Sequence, residues 1–305
     1  MGRPPLGDPW RWLDIPVLAP FRFDAILSYL SRSPDECLFQ VDGEALWRLV
    51  PRAQEPVAIL VHPVDGGVRV GWRGDPDWAD WVRDYVVAWL GLTDDVRPFL
   101  EAMMRHSAMG PIAARYRGLR LVGLPDLFEA LSWAIIGQQI TLRFAYTLKK
   151  RVTLAYGEKR SVAGRELWMF PKPDVLKTTS VESLTALGLS RQKARSLILV
   201  AEATASGRLT RERLSRLDVH EAERQLTTLP GVGPWTAQYV LMRCLRMPEA
   251  YPQSDVGLHN ALKRALHQDS KPSLSEVQAF FRELSGFEAY ATFYLWHDLS
   301  QQTQS

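Results

Sequence analysis

The sequence predicts an α+β protein: a small N-terminal domain built on an antiparallel sheet, then a mostly α-helical body containing a helix-hairpin-helix motif. Three observations lead there. Alternating apolar residues with Gly-bearing turns are confined to the stretch before residue 75. Helical spacing runs almost unbroken after residue 93. One Gly-rich turn, Leu229-Pro230-Gly231-Val232-Gly233-Pro234, joins two of the helices.

Residues 1–20 are proline-rich and should be extended. Phe23 to Leu30 reads as a short helix. Residues 37–50 and 56–73 read as strands, with Asp42-Gly43 and Asp65-Gly66-Gly67 as hairpin turns. Residues 76–92 return to helical spacing, with Trp78, Trp81, Tyr85 and Trp89 near one face. Residues 1–92 therefore make the N-terminal domain and 93–305 the helical body. Helices are expected at 94–106, 110–116, 126–138, 140–156, 181–187, 191–205, 218–228, 234–246, 256–267, 274–285 and 288–299. Residues 157–178, with Gly164, Pro171 and Pro173, read as a long connection.

Composition narrows the function. The 305 residues suffice for two or three small domains, and 46% hydrophobic with 23% charged is ordinary globular composition. Net charge is +3 and no basic tail is present, so a polyanion would have to meet a folded surface. Cys37 and Cys244 are too few and too far apart for a thiolate-bound zinc or an iron–sulfur cluster. The six histidines show no ligand spacing. No apolar run approaches the roughly 20 residues of a membrane helix, and the N-terminus has no apolar leader core. A cytoplasmic protein with no membrane partner is expected.

The hairpin is the most informative segment. Gly231 and Gly233 permit unusual backbone shapes and close approach, and Pro234 suits the first position of a helix. The free N–H groups of such a turn, at the positive end of a helix dipole, can hold a DNA phosphate through Gly231, Val232, Gly233 and Thr236. Taken alone, a Gly-x-Gly between helices is only a tight turn. Asp255 stands at the start of a later helix, where the plain reading is an N-cap.

Together these segments resemble the helix-hairpin-helix glycosylase superfamily, and within it the DNA-3-methyladenine glycosylase II family. The likeness covers nearly the whole chain: the N-terminal domain, Ala134-Ile-Ile-Gly-Gln-Gln139, Leu187-Gly-Leu-Ser-Arg-Gln-Lys-Ala194, the hairpin, Asp255, and Tyr290 to Trp296. It implies double-stranded DNA carrying an alkylated base as partner, a monomer, and Asp255 as the catalytic carboxylate. It places Trp235, Tyr239 and Trp296 around the base and Gln139 as the wedge filling the gap left by a flipped nucleotide. It also implies a structural sodium or potassium ion on the backbone carbonyls of Thr227, Leu229 and Val232, with no cofactor for catalysis. Val256 departs from the family, which commonly has an aromatic there, so the pocket should be wider on that side.

The chemistry agrees. Breaking an N-glycosidic bond builds positive charge on the sugar, which a fixed carboxylate stabilises or answers by activating water. An N-alkylated base is already cationic and leaves without a general acid. Trp235 and Tyr239 are four apart, on one helix face, and an indole face attracts a cationic base. Bifunctional relatives carry a lysine where Trp235 stands, so no Schiff base is expected. A pure DNA clamp is the main alternative, yet it would need neither Asp255 nor an aromatic pocket. An oxidised-guanine glycosylase would carry the hairpin lysine, and a mismatch adenine glycosylase the cluster cysteines. A relic that keeps the fold without activity is the remaining reading.

Overall fold

The computed structural model describes residues 10–52 and 55–303. The chain begins with a five-stranded antiparallel sheet of order β1-β5-β4-β3-β2. Its strands are β1 (Arg11–Pro16), β2 (Phe39–Asp42), β3 (Ala45–Val50), β4 (Val57–Val64) and β5 (Gly67–Trp72). Gly43 and Gly66 take the left-handed conformation (φ 59° and 72°) that the two tight turns demand. Of the proline-rich start, residues 1–9 lie outside the described residues, and Arg11–Pro16 is an edge strand, where the missing N–H of Pro16 is tolerated. Period-2 alternation sorts the sheet faces. Val57, Ile59, Val61, Val68 and Val70 are fully buried, in one cluster with residues of α1 (Phe23–Leu30) and α2 (Ala79–Leu90).

The helical body continues with α3 (Arg97–Met104), α4 (Gly110–Arg115), α5 (Leu127–Gly137) and α6 (Leu142–Tyr156). The stretch read as a connection instead opens with a hairpin, β6 (Glu158–Val162) and β7 (Arg165–Met169). Ala163 and Gly164 both have positive φ and form its two-residue turn. Val162, Leu167 and Met169 cover Leu49 and Ala58 on the outer sheet face, which explains why a short polar hairpin is ordered there. Next come α7 (Pro173–Leu176), α8 (Val181–Ala186), α9 (Arg191–Ala205), α10 (Arg211–Leu214) and α11 (Val219–Thr227). They are followed by α12 (Pro234–Val240), a π turn (Leu241–Leu245), α13 (Val256–Ala265), α14 (Leu274–Arg282) and α15 (Glu288–Thr303). Side-chain caps start most of the longer helices: Asp126, Thr141, Ser190, Asp218, Asp255 and Ser273 each accept from a first-turn N–H.

Helix α5 organises the body. Every residue from Leu127 to Ile136 is buried, as expected of a helix apolar on all sides. It packs against α6, α9 and α12. Its Glu129 meets Arg48 of β3 at 2.5 Å, a buried ion pair tying sheet to helices. Its C-terminal end delivers Gln138 and Gln139 to the surface beside the α11–α12 hairpin. No described helix is long and apolar enough to cross a membrane.

Candidate active site and hairpin

Asp255 is the N-cap of α13: its Oδ1 accepts from the Leu258 N–H at 2.7 Å. The cap fixes the carboxylate, and two indoles then complete its shell. Trp296 Nε1 donates to Oδ1 and Trp235 Nε1 donates to Oδ2, each at 2.9 Å. A carboxylate offers about four acceptor positions, so three donors leave roughly one open. Gly257 is part of the same arrangement. A Cβ there would lie 2.9 Å from Asp255 Oδ1 and 3.6 Å from Trp296 Nε1, so any side chain pushes on the carboxylate. No local pattern signals this arrangement, because it depends on α15 folding back over α13.

Trp235, Tyr239 and Trp296 do come together. Trp235 stacks on Tyr239 (centroids 5.6 Å apart, planes 19° apart), and Tyr239 lies 6.0 Å from Trp296. Their parts differ, however. The two tryptophans turn their N–H edges to Asp255, a role not anticipated for them. Tyr239 is buried, and burial raises its phenol above the ordinary value. Its hydroxyl accepts from Trp133 Nε1 at 2.8 Å and from Arg243 at 3.2 Å. It is a back wall more than an open face. Val256, next to Asp255 in the chain, is 62% exposed.

The hairpin separates its two glycines. Gly231 has φ 86°, and a Cβ there would sit 1.9 Å from Ser196 Oγ of α9. Its glycine is required by the protein's own packing. Gly233 has ordinary φ and nothing within 4 Å of a notional Cβ, so the protein itself does not need glycine there. Val232 is buried and its N–H is spent on the Leu229 carbonyl at 3.0 Å. Thr236 keeps its side chain inside the protein. It is 1% exposed and its Oγ1 accepts from Gln138 Nε2 at 2.9 Å, so only its backbone N–H is left for a phosphate. The first bond of α12 runs from Ala237 N–H to the Gly233 carbonyl, which leaves the Trp235 and Thr236 N–H groups without a partner in the helix.

Gln138 reaches across to the hairpin, donating also to the Gly231 carbonyl at 2.9 Å. Lys193 Nζ donates to the Ile136 and Gln138 carbonyls at 2.8 and 2.7 Å. Neither contact was read from the sequence, since each joins segments more than 50 residues apart. Between these anchors Gln139 is exposed and held at φ 55°, a conformation L-residues other than Asn or Asp seldom adopt. Such strain is often kept at sites of function. As for a cation, Thr227 ends α11, so its carbonyl has no helical partner, and Leu229 keeps one lone pair beside the Val232 bond. Neutral carbonyls without a carboxylate fit a monovalent ion.

Residues 132–286 match the model of the HhH-GPD superfamily of base excision DNA repair proteins. The chain belongs to this superfamily. It is 34% identical to the DNA-3-methyladenine glycosylase of Bacillus subtilis (strain 168), over 92% of this chain and 94% of that protein. It is 29% identical to DNA-3-methyladenine glycosylase 2 of Escherichia coli (strain K12), over 63% of this chain and 64% of the other. Among solved structures, a 3-methyladenine DNA-glycosylase from Archaeoglobus fulgidus superposes with a TM-score of 0.83 at 24% identity, covering 93% of this chain and 97% of that one. The expected fold class stands on these grounds as well as on the elements described above.

Proposed function

We propose that this chain is a monofunctional DNA glycosylase that flips an N-alkylated base of the 3-methyladenine or 7-methylguanine type out of double-stranded DNA and hydrolyses its N-glycosidic bond. The observation that carries the reading is the Asp255 carboxylate, aimed by two indole N–H groups and a helix cap beside an aromatic wall. A carboxylate so fixed cannot turn away as positive charge grows on the sugar, and stabilisation by a preorganised group needs no reorganisation at the moment of reaction. The bond between C1′ and the base nitrogen breaks with its electron pair going to the cationic base, which departs neutral. Water adds to C1′, and the one open acceptor position on Asp255 can take its proton. The product is free base and an abasic site.

The names of the relatives support alkylated bases as substrate, and a related Schizosaccharomyces pombe 3-methyladenine DNA glycosylase was solved in complex with abasic DNA (TM-score 0.55, 26% identity, covering 64% of this chain and 95% of that one). Trp235 standing where a nucleophilic lysine would be favours water as nucleophile. In this reading Gly233 and the N–H groups behind it meet a phosphate, Gln139 fills the vacated stack, and a sodium or potassium ion sits on the Thr227, Leu229 and Val232 carbonyls. The protein acts as a monomer on cytoplasmic DNA. The test is release of free base from N-methylated duplex DNA, followed by chromatography, with borohydride added in parallel. Free methylated purine with no trapped protein–DNA adduct is expected. No release, or a stoichiometric adduct, overturns the proposal.

A further inference from the structure

The segment Leu187-Gly-Leu-Ser-Arg-Gln-Lys-Ala194 has no part in the reaction proposed above. In the structure it leads into the first turn of α9. Ser190 caps that helix by accepting from the Lys193 N–H at 3.3 Å, which fixes the start of the Lys193 side chain. This half-buried side chain crosses to the end of α5. There its ammonium donates to the Ile136 and Gln138 carbonyls, at 2.8 and 2.7 Å. Among the described residues no carboxylate lies within 4 Å of it. Burial lowers the ammonium below its ordinary value, so the charge is held there against its own desolvation.

A cation at the carbonyl end of a helix is favoured by the helix dipole. The bond to Gln138 does more. The Gln138 carbonyl and the Gln139 N–H belong to one rigid peptide plane, so holding the oxygen fixes the orientation from which Gln139 turns. Gln138 is tied down a second time by its side chain, which donates to the Gly231 carbonyl and to Thr236 Oγ1. On the far side Thr141 caps α6 by accepting from the Phe144 N–H. Gln139 therefore makes its turn, at φ 55°, between two held neighbours.

Helix α2 ends in a comparable way at Gly91, with φ 66°. Glycine enters the left-handed region without strain and needs no distant lysine to keep it there. Position 139 carries a glutamine in that region instead, with its side chain exposed. For the turn alone, glycine would serve better. The strain and the lysine that holds it are explained once the projecting side chain is what matters.

We propose that Lys193 is a positioning residue for Gln139: by holding the peptide plane between residues 138 and 139 it maintains the left-handed turn that aims the Gln139 side chain into the gap left by a flipped nucleotide. The role rests on the reading of Gln139 as the wedge, and Lys193 acts through that side chain.

The test is single-turnover base release by the full chain from N-methylated duplex and from the same strand alone, in Lys193→Met, Gln139→Ala and the double variant. Lys193→Met should lower the duplex rate relative to the single-stranded rate by about tenfold, the effect of losing one charge-assisted hydrogen bond. In the Gln139→Ala background the same substitution should leave that ratio unchanged, because no side chain remains to be aimed. A lysine that only closes α5 would slow both substrates alike, or would keep its effect in the double variant; either result overturns the proposal. If Gln139→Ala alone slows both substrates equally, the wedge reading falls and the positioning role with it. If Gln139→Ala selects against duplex and Lys193→Met does not, the positioning role alone falls. Should Lys193→Met fail to fold, Lys193→Gln, which keeps an uncharged donor, takes its place in the same comparison with the same outcomes.

Discussion

Replacing Asp255 with Asn changes more than charge, and the clamp lets the two effects be separated. Asn keeps one acceptor oxygen and puts an NH2 where the other stood. Its oxygen is best placed at the Oδ1 position, where it retains the Leu258 and Trp296 donors. The NH2 then faces Trp235 Nε1–H across 2.9 Å, donor against donor. An unpaired, half-buried donor costs about 1–2 kcal/mol, so Asp255→Asn should melt a few degrees lower. The chemical loss is larger. A unit charge about 4 Å from the developing cation is worth about 4 kcal/mol at an effective dielectric of about 20. That is about a thousandfold in single-turnover base release. Adding Trp235→Phe removes the offending N–H. It should lower the stability of the wild type, yet leave Asp255→Asn unchanged or more stable, without recovering rate. The ring area lost is the same in both backgrounds and cancels in the double-mutant cycle. Urea unfolding and single-turnover release on methylated duplex measure the two axes. Equal cost of Trp235→Phe in both backgrounds would refute the clamp.

The remaining predictions are brief. Gly231→Ala should destabilise the fold through Ser196, whereas Gly233→Ala should fold normally and weaken binding to abasic-site duplex of any sequence; normal affinity in the latter removes Gly233 from the phosphate contact. Gln139→Ala should slow duplex substrates far more than single-stranded ones, with Gln139→Leu recovering most of the loss; equal slowing of both substrates would make Gln139 an ordinary turn residue. Two groups, the buried His297 and the partly buried Asp126, give opposite pH slopes. His297, lowered to about 4 by burial, binds its proton more readily unfolded, so its contribution to stability rises with pH from about 4 to 6.5, by about 3 kcal/mol in all. Asp126, raised to about 6 by burial, is stabilising below 3.8 and loses this as pH rises through 6. Relative to wild type, His297→Gln should therefore lose stability between pH 4.5 and 6, and Asp126→Asn should gain it; parallel Tm profiles of the two variants would contradict both assignments.

Much of the architecture was readable because it rests on local rules. The Gly43 and Gly66 turns mark their hairpins, and Ser190 and Asp255 mark helix starts. The β6–β7 hairpin was hidden because its turn pairs Gly164 with Ala163, which no propensity favours at positive φ. The π turn was hidden because it is a change of hydrogen-bond register within an unbroken apolar pattern. At the site, residue types and order pointed to Asp255, the aromatics and the hairpin. What they could not give is direction. That the indole edges face the carboxylate and that Thr236 is buried under Gln138 both follow from contacts between distant segments.

The bonds from Gln138 to Gly231 and Thr236, and from Lys193 to the end of α5, make the turn bearing Gln139 and the hairpin one stiff body. In the proposed reading, with Gln139 as wedge and the hairpin as phosphate grip, the spacing between the two would be a fixed ruler. Compliance would then come from the duplex, which would have to kink to satisfy both at once. Such a device would test softness before it tests chemistry. A site whose stacking is already weakened yields at less work, so lesions would be sorted first by how readily their helix gives way, and only afterwards by the shape of the base.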